Sequence, residues 1–326
     1  MGLFRRSRQG GERTRVFFAT DVHGSERCFR KWLNAAEVYE AQVLVLGGDL
    51  TGKLLVPIVA DGGGWVAELH GEQVRAADDV ELEALRGRIR MMGRYDLVLT
   101  AEERDRLQDP EHLKSVFRTV MHDGVARWME LLTQRLAEKD VAVFTMLGND
   151  DEPELADVLR GAGAATYAED GVVELPGGYP MVSVGFSTPT PWQTPRELPE
   201  DELAERIEGL ASQLDDPARA VFNLHCPPAD THLDQAAKLD GDLRPVVDSA
   251  GPVMTSVGST AVREAIERHH PLLGLHGHVH ESPAIQRLDG TVCINPGSDY
   301  GDGVLRGAIV DLEPAKGVRT WQLVQG

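Results

Sequence analysis

The sequence predicts an α/β fold, and two features predict it. Five short apolar runs, at 16–19, 43–46, 141–147, 220–224 and 272–275, have the length and composition of strands buried on both faces. Each stops abruptly at polar side chains: Asp21 and His23, Asp49, Asn149 and Asp150, His225, and the stretch His276-Gly277-His278-Val279-His280. Helix-patterned segments separate these runs, and α/β sheets bind ligands just beyond the carboxyl ends of their strands.

The chain begins with a basic stretch, Arg5, Arg6, Arg8, Arg13 and Arg15, with no leader-type apolar region behind it. Residues 1–15 are expected to be a flexible terminus, and 16–326 a single domain. After the first strand, Ser25 suits the cap of a helix reaching Ala36, whose apolar stripe is Cys28, Phe29, Trp32 and Leu33. The second strand runs over 43–46 and ends at Gly47-Gly48-Asp49.

From about 54 to 122 the pattern changes. A hairpin turning near His70-Gly71 is followed by acidic helix-forming segments at 81–92 and 104–121. This stretch reads as a mostly helical insertion, serving as a cap or as a surface for a homo-oligomer. Its His70, His112 and His122 read as solvent-facing or packing residues. A stronger amphipathic helix over 125–137 carries Trp128, Leu131, Leu132 and Leu136.

Beyond the third strand, Pro153 suits a first helical turn that continues to Arg160. A weaker strand at 181–184, a Pro-rich loop at 188–199 and an acidic helix at 200–214 follow. The strand at 220–224 leads to His225, and a helix at 260–268 ends in His269 and His270, where their charge suits the dipole. The last segments are the strand before His276, a strand at 292–294, the loop Asn295-Pro296-Gly297-Ser298, and strands near 308–312 and 319–324.

Composition narrows the function. The formal charge is −19, from 52 acidic against 33 basic residues, which argues against anionic membranes and long nucleic acid. An anionic substrate would need local cations. Three widely spaced cysteines, Cys28, Cys226 and Cys293, make no disulfide framework and point to a reducing cytoplasm. No segment is long enough to cross a membrane.

Carboxylate, carboxamide and imidazole at five strand ends suit Mn, Fe, Zn, Ni or Co. There are more donors than one ion needs, which points to two metal ions, divalent or mixed-valence. Within the last block, Gly277 is expected to let the backbone turn, with His278 and His280 on one side and Val279 on the other.

The blocks Asp21-Val22-His23, Gly48-Asp49, Gly148-Asn149-Asp150-Asp151, His225 and Gly277-His278-Val279-His280 resemble those of the calcineurin-like metallophosphoesterase superfamily. They occur in that family's order, D-x-H, G-D, G-N-H-[DE], an isolated H and G-H-x-H, and Asn295-Pro296-Gly297-Ser298 is a frequent further feature. The resemblance implies a four-layer α/β/β/α sandwich with a dimetal site at one edge. It implies one ion on Asp21, His23, Asp49 and His280, and a second on Asp49, Asn149, His225 and His278, with Asp49 bridging. The implied activity is hydrolysis of a small phosphate ester by metal-bound hydroxide, with diesters slightly preferred over monoesters. Alternatives are a non-catalytic metal-binding scaffold of the same fold, and a nuclease.

One departure stands out. Asp150 occupies the place of the histidine that the family uses to protonate the leaving oxygen. An aspartate donates a proton at neutral pH only where its surroundings favour the neutral form, and nearby cations disfavour it. Either Asp150 acts as a weak donor, or the site borrows His232, or it relies on metals and good leaving groups. Asp151 matches the acidic residue that orients the missing histidine, or serves packing. His276 matches no family ligand and is expected to be structural. The stretch from Gly47 to Leu54 nearly spells a P-loop, but Leu54 stands where Ser or Thr must bind Mg²⁺. Lys53 within it reads as a surface residue or a phosphate contact.

Overall fold

Apolar side chains at alternating positions are buried on opposite faces of the strands, so each strand serves two cores at once. The computed structural model describes residues 13–169, 171–314 and 316–326. In the strand Thr14–Ala19, Val16 and Phe18 face one core while Phe17 and Ala19 face another. Val43–Gly47 and Ala142–Met146 continue the sheet in parallel. Arg306–Glu313 and Gly317–Gln325 extend one side antiparallel and Thr166–Tyr167 closes the other.

A second sheet runs in the order Ala284–Leu288, Thr291–Asn295, Leu273–Leu275, Val221–Leu224, Tyr179–Val184 and Val173–Leu175. Its four central strands are parallel. The two sheets meet through Val16, Phe18, Val43 and Val45 on one side and Met181, Val221, Leu273, Leu275 and Ile294 on the other. Each such fully buried large side chain stabilises by about 1.5–3 kcal/mol.

Helices cover both outer faces. Glu26–Val38, the C-terminal half of Pro110–Leu136 and Leu155–Arg160 lie on the first sheet, where the rings of Phe29 and Trp128 stack at 4.4 Å. Glu200–Ala211 and Thr260–His269 lie on the second. The result is the four-layer α/β/β/α sandwich. Ser25 caps the first helix by accepting the Cys28 N–H, and Cys28, Phe29, Trp32 and Leu33 are its buried stripe.

Residues 55–99 hold a separate four-stranded sheet. The hairpin at His70-Gly71 forms between Gly64–Leu69 and Glu72–Ala76. Two strands not expected from the sequence join it, Leu55–Asp61 and Tyr95–Leu99, paired in parallel. Helix Asp79–Met91 packs Leu82, Leu85 and Ile89 onto Ile58, Ala67 and Leu69. Where helices were expected at 104–121 and 125–137, a short helix, Ala101–Arg106, precedes one 27-residue helix, Pro110–Leu136, that runs across the boundary drawn near 122. Gly124 within it lies against Tyr95, whose ring a Cβ would approach to 3.0 Å.

Of the basic terminus, residues 1–12 lie outside the described residues. Arg13 and Arg15 are not part of a loose tail: both pair with buried Asp311, at 3.4 and 2.8 Å, and the first strand starts at Thr14. His70 and His112 are exposed, and His122 is half-buried 4.0 Å from Glu152. All three cysteines are buried and unpaired. Among the described residues no helix is long and apolar enough to cross a membrane.

Candidate metal centre

The carboxyl ends of both sheets deliver their side chains to one place. Asp21 and His23 follow Thr14–Ala19, Asp49 follows Val43–Gly47, and Asn149 follows Ala142–Met146. From the second sheet come His225, after Val221–Leu224, and His278 and His280, after Leu273–Leu275.

Asp21, His23, Asp49 and His280 each offer a donor atom within 4.8 Å of the others, a grouping able to hold a metal ion. His280 Nε2 lies 3.1 Å from His23 Nε2 and 3.3 Å from Asp21 Oδ1. Beside this group, Asn149 Oδ1 lies 3.1 Å from His225 Nε2 and 2.7 Å from His278 Nδ1. Asp49 Oδ2 belongs to both clusters, 3.6 Å from His23 Nε2 and 3.4 Å from His225 Nε2. The structure thus brings together all seven side chains that the sequence singled out as ligands.

The donor set fits cations. Hydrogen bonds aim the imidazoles: His225 Nδ1 donates to Gly47 O at 2.9 Å, and His23 Nδ1 lies 3.2 Å from Thr51 O. With those protons directed outward, each Nε2 faces the cluster. The carboxylates of Asp21 and Asp49 make this pocket strongly electronegative. Burial opposes charge on Asp49, yet His225 and His23 hold its carboxyl well below the usual range. Burial likewise opposes protonation of His225, and Asp49 and Asp21 outweigh it, pushing the imidazole up to about 10. His278 moves the other way, down to about 4, through burial and the charge of His225.

The backbone is bent to make this convergence. Asp21, His23, Asp49 and His278 have φ of 54°, 38°, 51° and 67°, in the left-handed region that non-glycine residues avoid. His278 therefore makes a sharp left-handed turn, where an extended or gently turning segment was expected. Nor is Gly277 needed for its turn: a Cβ there would stand 2.4 Å from Asp21 Oδ2, so glycine is required by close approach. Gly148 is constrained in the same way, with Asp49 Oδ1 only 2.0 Å from where a Cβ would be.

Neighbouring groups brace the loops. Asp151, fully buried, accepts from Leu50 N, Thr51 N, Thr51 Oγ1 and Gly148 N at 2.7–3.0 Å. Asn295 donates to Val279 O and Leu233 O, and Ser298 Oγ donates to Asp21 O. His276 sits in the core with Nδ1 2.8 Å from Leu224 O, and burial lowers it to about 4.

At the rim, Asp150 Oδ2 lies 2.5 Å from Lys53 Nζ and 3.9 Å from His23 Nδ1. The Tyr300 ring packs on His23 at 4.6 Å and His280 at 5.8 Å. A strand, Leu55–Asp61, follows Lys53 where a P-loop requires a helix. His232 is exposed and its N–H donates to Gln286 Oε1; among the described residues its ring makes no hydrogen bond or ion pair with the seven donors. Asp151, singled out in the sequence as an orienting or packing residue, holds the loops of Asp49 and Asn149 together. Tyr300 was not anticipated from the sequence: it does not lie at the end of an apolar strand, so nothing in the pattern marked it.

No family model matches the chain. The uncharacterized protein MJ1162 of Methanocaldococcus jannaschii is 28% identical over 168 residues, half of this chain and 68% of that protein. The solved structure of TT1561 of Thermus thermophilus shares the fold, with a TM-score of 0.54 at 13% identity over 97% of this chain and 99% of that one. A second solved structure aligns with a TM-score of 0.53 at 15% identity over 96% of this chain.

Proposed function

We propose that this chain is a metal-dependent phosphoesterase that holds two divalent cations and hydrolyses small phosphate esters, diesters somewhat better than monoesters. The observation that carries the reading is the pair of adjoining donor clusters with Asp49 common to both. Asp21, His23, Asp49 and His280 would hold one ion, and Asp49, Asn149, His225 and His278 the other. Two such ions would supply Lewis acidity toward phosphoryl oxygens and lower the pKa of water toward neutral.

The chain's own residues do the rest. Asp49, whose Oδ2 lies near donors of both clusters, would offset part of the repulsion between the cations. With a cation on each Nε2, His23 and His225 would keep their outer Nδ1 protons on the Thr51 and Gly47 carbonyls, so neither ring would be free to shuttle a proton. Asp150 serves as acceptor to Lys53, and this pairing removes it from the role of proton donor. Lys53 has further N–H donors to offer a substrate oxygen, in a protein whose overall charge is −19. Tyr300 shields one side of His23 and His280 from water. With no strong acid at the leaving oxygen, substrates with good leaving groups are favoured. The buried free cysteines fit a reducing compartment.

The Asp150–Lys53 pair also favours a second reading, a metal-binding scaffold without turnover. Metal analysis of the purified chain, combined with Mn²⁺-stimulated hydrolysis of bis- and mono-nitrophenyl phosphate, separates the two. Two ions per chain with faster diester turnover is the expected result. Two ions without turnover selects the scaffold, and fewer than one ion per chain sinks the dinuclear reading.

A further inference from the structure

The Pro-rich loop at 188–199 supplies none of the seven donors, yet it decides which way Asn149 faces. That side chain ends in one oxygen and one nitrogen, and only the oxygen can coordinate a cation. Asn149 Nδ2 lies 2.9 Å from Thr194 Oγ1, on the side away from His225 and His278. The Thr194 hydroxyl in turn lies 2.7 Å from Glu197 Oε1. A carboxylate oxygen accepts hydrogen bonds and does not donate them, so the single Thr194 proton is committed to Glu197. Thr194 Oγ1 then presents a lone pair to Asn149, and only an N–H satisfies it. The amide must turn its NH₂ toward Thr194 and its oxygen toward the imidazoles.

The orienting pair is itself fixed. Glu197 Oε1 also accepts the Thr194 N–H at 2.8 Å and the Thr190 hydroxyl at 2.5 Å. The same loop grips the adjoining backbone: Arg196 N donates to Asn149 O at 3.1 Å and Arg196 Nη1 to Gly148 O at 3.0 Å. Arg196 is buried and anchored by Glu169 at 2.7 Å. The loop thus holds both the main chain and the side chain of Asn149.

We infer that Thr194, held by Glu197, is a positioning residue that locks the Asn149 amide with its oxygen toward the second cation. The inference rests on the two-cation reading above. Loss of such a partner behind a ligand lowers metal affinity by about 10–100-fold.

The test is calorimetric titration of the metal-stripped full chain with Mn²⁺. Thr194→Val removes the hydroxyl at nearly constant volume. It is expected to weaken one of the two sites by about 10–100-fold and spare the other, with Thr194→Ser restoring the affinity. Asn149→Asp supplies the control, because both terminal atoms are then oxygens and orientation ceases to matter. In that background Thr194→Val is expected to cost no further affinity. Equal losses in both backgrounds would mean that Thr194 acts through loop packing, and would overturn the inference. So would two undisturbed sites in Thr194→Val. If circular dichroism shows that the valine variant is unfolded, Thr194→Ala carries the same expectation. Failure of the wild-type chain to bind two Mn²⁺ is a separate result: it removes the proposed function first, and the inference with it.

Discussion

Asp151 Oδ1 accepts both the N–H and the hydroxyl of Thr51, at 2.9 and 2.7 Å, across 100 residues of sequence. Its other oxygen accepts Leu50 N and Gly148 N at 3.0 and 2.8 Å. This carboxylate therefore pins the loop bearing Asp49 to the loop bearing Asn149, without belonging to the donor cluster. Asp151→Asn sets an NH₂ against a buried donor, and is expected to cost about 2–3 kcal/mol. Mn²⁺ affinity should fall at both sites. Urea unfolding in chelator and metal titration check the two halves, and wild-type stability in the variant would refute the clamp.

Asp49 is predicted to matter differently from any ligand of a single ion. Asp49→Ala should leave less than one ion per chain after gel filtration, measured by elemental analysis. His278→Ala should leave about one. Equal metal content in the two variants would contradict a shared Asp49.

The rim predicts a split between binding and turnover. Lys53→Ala should raise KM for nitrophenyl esters about fivefold, as expected for an exposed cation, with metal content unchanged. Asp150→His restores the side chain found in the resembling family. It should raise the rate on esters with poor alkyl leaving groups by about tenfold or more relative to nitrophenyl esters. An unchanged ratio would show that proton donation does not limit this site.

A pH prediction comes from the separate sheet at residues 55–99. Asp96 is buried, with Arg86 Nε 2.6 Å from Oδ2 and Arg90 Nε 2.5 Å from Oδ1. Burial opposes its charge, but the two guanidiniums outweigh burial and lower its carboxyl below the usual range. A lowered folded-state value means that the stabilisation is complete above the unfolded value of about 3.9, and is lost as pH falls below it. Asp96→Asn should cost about 2 kcal/mol at pH 7 and progressively less below pH 4, read from urea midpoints at several pH values. A pH-independent difference would rule out the charge as its source.

How much of this could be read from the sequence depends on whether local composition reveals it. The five strands buried on both faces announce themselves as apolar runs, and the ligands stand directly after them. The strands Leu55–Asp61 and Tyr95–Leu99 do not announce themselves. Pro57 interrupts one, and Asp96 puts a charge in the other that only Arg86 and Arg90, on a neighbouring helix, make tolerable. The long helix looked like two because Gly124 weakens its helical signal, while its tertiary partner Tyr95 keeps it continuous. Thr194 and Glu197 lay in a segment that composition marks only as a loop. Their role comes from long-range hydrogen bonds, which no local pattern encodes.

Asp21, His23, Asp49 and His278 are held at positive φ around a concentration of negative charge. Such residues cost about 1–3 kcal/mol each, a cost that rigid surroundings must sustain and that cations bound to the converged donors would offset. Heat resistance should then follow the supply of free metal. A cation present at 100 times its Kd contributes about 2.7 kcal/mol that vanishes when the ion is scarce. In a cell, chains that had failed to load would open more often and reach proteases sooner. The centre would act as an inspection point, with loaded molecules outliving empty ones.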